Sequence, residues 1–149
     1  MLLAPMPVRA QGQSRTNAAS IEAVRQAIFE AEERRAPLDA DVQTLREGTR
    51  HPNEAVQRQA VRALGRLERP ALAGDIQPLL SSPFASVRAA AVEALGQAAA
   101  GAGPEVAVAV QASLIKQLAG ERDPAVIGSV CWTLGRLPYA TAQAARSAE

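Results

Sequence analysis

The chain has 149 residues, and its 16 basic and 15 acidic residues leave a formal net charge of +1, so bulk charge implies neither an acidic nor a basic partner. Hydrophobic residues make up 48% of the sequence and aromatics only 3%, while 33 residues are alanine. Since alanine favours helices, this composition predicts packed helices rather than a β-sandwich. One cysteine excludes an internal disulfide, and one histidine excludes multi-histidine metal sites. The longest apolar run is shorter than the roughly 18–20 residues that a membrane span needs, so none is expected.

The N-terminal residues 1–16 show no sustained periodicity and are predicted to be a disordered tail or the remnant of an export signal. Within them, residues 8–11 (VRAQ) resemble a small-x-Ala cleavage site. If residues 1–10 are the end of such a signal, we expect a periplasmic or secreted protein, and otherwise a cytoplasmic one. Residues 17–149 are predicted to form one helical repeat domain, whose array is cut off at the C-terminus.

Three segments share apolar residues at i, i+4, i+5 and i+8, a pattern typical of one helix face. They span residues 56–65, 87–96 and 126–135. A second helical pattern precedes each copy, so each unit is predicted to be a helical hairpin that buries its apolar face by stacking on its neighbours. We therefore predict an all-α fold, a right-handed superhelix of about three hairpins with an N-terminal capping helix over 17–35. Extra residues between the second and third copies, at 97–105, are expected to lie between helices.

Each copy ends in leucine and glycine, and these are predicted to have equivalent places in the stack. The leucines, expected to be buried in one shared core, are Leu64, Leu95 and Leu134. The glycines, which permit either a tight helix contact or a helix end, are Gly65, Gly96 and Gly135.

Prolines give an independent prediction of the helix starts, because proline suits the first helical position, where no backbone donor is needed. Those expected just before a helix are Pro37, Pro52, Pro70, Pro83, Pro104, Pro124 and Pro138. Ser82 and Asp123 precede two of these prolines and are the expected N-caps. Pro78 lies inside a helical pattern, so it is expected to kink that helix or to mark its true start near Asp75.

Residues 83–96, with the pattern P-x3-V-R-x2-A-V-x-A-L-G, resemble the repeats of HEAT-type α-solenoids, particularly the short bacterial variety. Residues 51–65 carry most of the same pattern, and the likeness extends over roughly residues 37–137. The arginine that follows the valine in this family is present as Arg88 and is replaced in the other two copies. Such arrays serve as scaffolds, receptors and regulators, so the resemblance implies a protein or peptide partner without identifying it.

Residues 28–70 are also similar to the N-terminal HEAT arrays of some bacterial proteins that carry a cyclophilin-type prolyl isomerase domain. Nothing in these 149 residues resembles the isomerase domain itself. This narrower likeness implies an alternative function, in which the array positions substrates for a catalytic domain that is absent from this chain.

Candidate catalytic residues are few. Cys131 and His51 are the one plausible nucleophile and base, but Cys131 aligns with Val61 and Val92 and is therefore predicted to be buried and inert. His51 is expected to cap a helix locally or to lie in a solvated loop. Four adjacent charged residues, two acidic and two basic, are interpreted as the solvated end of a helix in which opposite charges pair. They are Glu32, Glu33, Arg34 and Arg35. We predict a chain that is not an enzyme, with no catalytic residue, cofactor or metal site.

A row of arginines is the first binding candidate. The row consists of Arg58, Arg62, Arg66 and Arg69. Their spacing of i, i+4, i+8 and i+11 predicts that they share one face of the second helix of a hairpin. In HEAT-type solenoids the second helices line the concave surface. The four arginines either bind a phosphate or an acidic peptide, or form a solvated face that is partly paired between repeats. Repeat alignment places Glu93 at the position of Arg62, which predicts an ion pair between them. Ala89 and Gly128 stand where Arg58 would recur, so the basic row does not continue and nucleic acid is an unlikely partner.

Trp132 stands at the position that Arg62 and Glu93 hold in the other copies, which is expected to be polar and groove-facing. It is either a partner-binding anchor or is covered by a further hairpin beginning at Pro138. We predict a non-catalytic protein–protein interaction scaffold, whose oligomeric state is left open. Its candidate partner-binding residues are Arg58, Arg62, Arg66, Arg69, Glu93, Gln97, Trp132 and Arg136.

Overall fold

The computed structural model describes residues 9–34 and 38–139, and within these ranges the chain is helical with no β-strand. The all-α prediction is confirmed. The helices are α1 (Arg9–Glu33), α2 (Asp39–Gly48), α3 (Glu54–Arg66), α4 (Ala73–Ile76), α5 (Ala85–Ala100), α6 (Pro104–Gly120) and α7 (Pro124–Leu134), with 3-10 helices at Pro70–Leu72 and Gln77–Ser81.

The helices form two layers, as expected of an all-α solenoid. The second helices of the hairpins, α3, α5 and α7, pack side by side in one layer, and α1 continues it by packing on α2 and α3. The first helices, which are α2, the segment 70–81 and α6, lie on the other side. We call the outward faces of α1, α3, α5 and α7 the second-helix surface.

The predicted shared core is confirmed. Leu64, Leu95 and Leu134 are at most 3% exposed, and they belong to one continuous apolar cluster. Burying each leucine contributes about 1.5–3 kcal/mol. Because the equivalent residue of each hairpin packs into the same cluster, no hairpin has a core of its own.

Glycine lets the second helices approach closely. A Cβ at Gly65 would lie 2.7 Å from the Cα of Ala94, and a Cβ at Gly96 would lie 2.5 Å from the Cγ2 of Thr133. A Cβ at Gly135 would approach only carbonyl oxygens of its own preceding turn. The first two glycines therefore serve tight helix contacts, and the third follows the end of α7.

The proline signals place the helix starts to within two residues wherever the structure describes them. Pro104 and Pro124 are the first residues of α6 and α7, and Pro70 begins a 3-10 helix. The expected cap at Asp123 is confirmed, since its carboxylate accepts hydrogen bonds from the N–H groups of residues 125 and 126 at 2.9 and 3.2 Å. Pro37 lies outside the described residues, and no described helix follows Pro138.

The expected cap at Ser82 is wrong. The N-cap residue of α5 is Phe84, and the Ser82 hydroxyl instead donates to Gln57 Oε1 at 2.9 Å, which joins two hairpins. A cap missed by the sequence analysis is Asn53, whose side chain accepts from two N–H groups at the start of α3. His51 has the local role expected of it, because its Nδ1 accepts from the N–H of Asn53 at 3.0 Å.

Three segments differ from their predicted bounds. Helix α1 begins at Arg9 rather than at residue 17, so residues 9–16 are helical, while the proposed export signal falls largely in residues 1–8, outside the described residues. Residues 97–100 were expected between helices but form the last turn of α5. Pro78 breaks the regular helix as expected, because it removes a backbone donor, and the chain around it is 3-10 helix.

Candidate functional site

The eight candidate residues are all exposed, but the structure divides seven of them between two parts of the second-helix surface, and the eighth, Arg69, lies in neither. One part, the arginine cluster, lies between α1 and α3 and contains Arg58, Arg62 and Arg66. The other, the Trp132 groove, lies between α5 and α7 and contains Glu93, Gln97, Trp132 and Arg136.

The arginine cluster surrounds a small concavity of about 190 Å³. Helix α1 adds Arg25 to it, which the sequence analysis missed because no local pattern shows that α1 runs beside α3. Arg25 Nε donates to Gln59 Oε1 at 3.3 Å, and Glu32 forms an ion pair with Arg66. The cluster therefore contains one carboxylate of its own that offsets part of the positive charge.

Arg69 does not continue the helical row. Helix α3 ends at Arg66, and the chain then turns through Glu68, whose φ of 49° is left-handed. Arg69 follows this turn and, with Arg34 and Arg66, lines an adjacent concavity of about 320 Å³. Of the four arginines predicted on one helix face, three therefore lie on α3, and Arg69 lies outside the helix.

The predicted ion pair between Arg62 and Glu93 is absent, although both residues are described. Glu93 instead accepts a hydrogen bond from Ser129 Oγ at 3.3 Å. Contacts between neighbouring second helices fall on either side of the aligned position, since a Cβ at Gly65 would meet Ala94 and Gln97 rather than Gly96. Residues that align between repeats therefore do not face one another.

The Trp132 groove has a volume of about 510 Å³. Its lining residues are Glu68, Glu93, Gly96, Gln97, Ala100, Trp132, Thr133 and Arg136. The Trp132 side chain is 66% exposed, and the Arg136 guanidinium lies 5.4 Å from its ring centroid, which is a cation–π distance. The hairpin that would cover Trp132 falls mainly in residues 140–149, outside the described residues, so both interpretations of Trp132 stay open.

Glu68 is the lining residue that the sequence analysis missed. It follows the C-cap of α3 in the position where a left-handed residue ends many helices, which is usually glycine or asparagine. A glutamate there gives no sequence signal of a turn, and only the turn itself brings its side chain to a groove between α5 and α7.

The prediction that Cys131 is buried is wrong, since it is exposed. Its counterparts Val61 and Val92 are fully buried, and each belongs to a hairpin that is followed by another described hairpin. No described helix follows α7 to cover Cys131 in the same way. Alignment within the repeat gives the face of the helix, but burial depends on the next hairpin.

The opposite edge of the second-helix layer carries a polar link between hairpins. Arg88 Nε and Nη2 donate to the two carboxylate oxygens of Glu121 at 2.8 and 2.9 Å, and Nη1 donates to the carbonyl of Ser82 at 3.0 Å. The Arg88 guanidinium, with further donors around the carboxylate, holds the pKa of Glu121 well below its usual range. This link is structural, because each guanidinium nitrogen of Arg88 and each carboxylate oxygen of Glu121 is hydrogen-bonded within the protein.

Neither a metal site nor a membrane helix is found in the described part of the chain. Within residues 9–34 and 38–139, no group of three or more His, Cys, Asp or Glu side chains is placed to hold a metal ion. No helix in the same ranges combines the length and the apolarity needed to cross a bilayer.

Comparison with known families agrees with the hairpin geometry. Residues 42–114, which extend from α2 into α6 and make up just under half of the chain, match the family model of HEAT repeats. The match supports a HEAT-repeat family. HEAT repeats generally mediate protein–protein interactions and are typically non-catalytic scaffolds. No curated protein significantly matches the sequence.

Proposed function

We propose that this HEAT-type array binds a protein or peptide partner on its second-helix surface, with Trp132 as the anchor. The observation that carries the proposal is the solvent exposure of Trp132, which is 66%. Tryptophan offers a large contact area at a small cost in side-chain entropy and is enriched among the residues that dominate binding energies.

The surroundings of Trp132 also favour a binding role. The groove beside it is lined by an amide, two carboxylates and a guanidinium, which can form hydrogen bonds with a bound peptide backbone. A polar rim around an aromatic anchor is the usual arrangement of a protein interface. On the other layer, the groove between the segment 70–81 and α6 is mostly apolar and contains no aromatic residue.

Affinity capture with matched variants tests this proposal. We expect Trp132→Ala to lose captured partners while its thermal midpoint stays close to that of the wild type, because the indole packs against little of the core. Val108→Ala is the matched control, since Val108 is 56% exposed on α6 in the other layer. Equal capture by all three proteins would refute the proposal, and unfolding of Trp132→Ala would assign the indole to the core.

A second proposal follows from the sequence similarity of residues 28–70 to the arrays of cyclophilin-type prolyl isomerase proteins. In this proposal the same surface positions substrates for a catalytic domain elsewhere in the parent protein. Extending the reading frame of the gene downstream tests it. An adjoining isomerase domain supports the proposal, and any other neighbouring sequence contradicts it.

A further inference from the structure

The Trp132 groove lies where three parallel helices end. Helices α3 and α5 run in the same direction, because Ser86 donates to Glu54 near their starts while Gly65 contacts Ala94 near their ends. Glu68 directly follows the C-cap of α3, Gln97 lies in the last turn of α5, and Arg136 follows the C-cap of α7. Helix C-termini carry free carbonyl groups and a partial negative charge, so this edge of the layer favours a cation.

Side-chain charge adds to the same potential. Glu68 and Glu93 both line the groove and are exposed, and neither forms an ion pair with any described residue. Arg136 is the single cation in the lining, and it lies over the indole rather than against a carboxylate. The carboxylates therefore exceed the cations by one.

The indole is suited to the same class of ligand. Its ring already interacts with one guanidinium at 5.4 Å, and its exposure leaves much of the aromatic surface open to a second. The negative face of an aromatic ring attracts cations, most strongly for tryptophan. Carboxylates in the same groove can add charge-assisted hydrogen bonds to the attraction of the ring for an arginine or lysine side chain.

Glu68 reaches the groove through an unusual backbone conformation. Its left-handed φ of 49° is disfavoured for a residue with a Cβ, and among the described residues it is the one non-glycine residue with a positive φ. A left-handed residue directly after a helix C-cap also closes the helix, so this conformation ends α3 as well. Here the strain presents a carboxylate to the groove.

We propose that the Trp132 groove receives a basic side chain, arginine or lysine, from the bound partner. The cation stacks on the Trp132 ring and donates hydrogen bonds to the carboxylates of Glu68 and Glu93. The inference rests on the proposed function, because it names the chemistry that the same surface selects. The arginine cluster, by contrast, is lined by four arginines and one carboxylate and would select an acidic segment.

Selection from a random short-peptide display library on the full chain tests the inference. We expect the enriched peptides to carry arginine or lysine, and their binding to weaken as ionic strength rises. Glu93→Gln and Glu68→Gln should each weaken binding of an enriched peptide by about three- to tenfold, whereas Trp132→Ala should weaken it by about thirtyfold or more. Glu105→Gln, in the other layer, should have no effect.

Glu68→Gly separates the charge from the strain. It should raise the thermal midpoint while weakening peptide binding as much as Glu68→Gln does. Two results would overturn this inference and leave the proposed function intact. One is enriched peptides whose binding requires Trp132 but which carry no basic residue. The other is enriched peptides whose binding is unchanged by substitution of both glutamates. Acidic peptides that depend on Arg58 and Arg62 would overturn both this inference and the anchor role of Trp132. Failure to enrich any peptide that depends on the second-helix surface would overturn both proposals.

Discussion

Arg88 and Glu121 form a two-point ion pair across the boundary between the second and third hairpins. The Glu121 side chain is 5% exposed and also accepts hydrogen bonds from Gln117 and from the backbone N–H groups of residues 122 and 123. Arg88 in turn donates to the carbonyl of Ser82 in its own hairpin. Each guanidinium nitrogen and each carboxylate oxygen is thus hydrogen-bonded, and the pair holds the loop before α7 against the start of α5.

Removal of the charge at Glu121 is expected to destabilise the stack. Glu121→Gln keeps the shape but leaves Arg88 without its counter-charge, and we expect a loss of about 1.5–3 kcal/mol in the free energy of unfolding. Urea denaturation measures the loss. Glu30→Gln is the control, since Glu30 is exposed on α1, and it should change the stability by less than about 0.5 kcal/mol. Equal effects of the two substitutions would contradict the structural role of the pair.

The ion pair of Arg88 and Glu121 makes the free energy of unfolding depend on pH. The pKa of Glu121 lies below its ordinary value of 4.5, mainly because of the hydrogen bonds from Arg88. A carboxyl with a lowered folded-state pKa stabilises the fold above its unfolded pKa, and this contribution is lost as the pH falls through the folded pKa. We therefore expect the gap in unfolding free energy between the wild type and Glu121→Gln to be constant near neutral pH and to shrink below about pH 4.5. A gap that stays constant down to pH 2 would contradict the assignment.

Gly65 and Gly128 make a matched pair for testing the close helix contact. A Cβ at Gly65 would collide with Ala94 of the next hairpin, so Gly65→Ala should cost about 1–3 kcal/mol. Gly128 lies in α7 with no atom near its would-be Cβ, so Gly128→Ala should stabilise by about 0.5–1 kcal/mol through helix propensity. Thermal denaturation of both variants checks the opposite signs. Stabilisation by both would show that α3 and α5 lie further apart.

Leu95 tests the shared core. It is 1% exposed at the centre of the stack, and Leu95→Ala should cost about 2–5 kcal/mol by removing buried apolar surface and leaving a cavity. Leu38, which is 65% exposed before α2, is the control, and Leu38→Ala should change the stability by less than about 0.5 kcal/mol. Because the hairpins share one core, the Leu95 variant should still unfold in a single transition. Two separate transitions would indicate independent hairpins.

Glu68 tests the left-handed turn after α3. Glu68→Gly should stabilise the fold by about 0.5–1 kcal/mol, because glycine adopts a positive φ without a steric penalty. Glu68→Ala is the matched control, since it removes the same carboxylate but keeps a Cβ at this backbone position. Hydrogen exchange at the end of α3 should slow in the glycine variant alone. Equal stability of the two variants would place Glu68 in an ordinary conformation.

Much of the helical architecture was predictable from local pattern. The apolar period identified the helix faces that contain Leu64, Leu95 and Leu134, and proline with Asp123 located helix starts, because both signals depend on backbone geometry within one turn. The alignment also predicted a groove-facing position for Trp132, while leaving open whether a further hairpin covers it. These inferences need no knowledge of neighbouring hairpins.

The site was predictable only in part. The exposure of Cys131, the missing pair of Arg62 with Glu93 and the arrival of Glu68 beside Trp132 all depend on how one hairpin lies against the next. The contacts between α3 and α5 fall on either side of the aligned positions, and this offset decides which side chains meet without altering the repeat pattern.

The sequence by itself therefore determined where the helices lie, which face of each is apolar, and that the hairpins must pack on one another. Apolar periodicity, proline and small residues give these signals because each depends on the geometry of one or two helix turns. Only the tertiary structure decided which charges pair, which groove forms and which faces stay open. Those outcomes depend on the offset between packed helices and on a left-handed turn at Glu68, and neither is encoded in a local pattern.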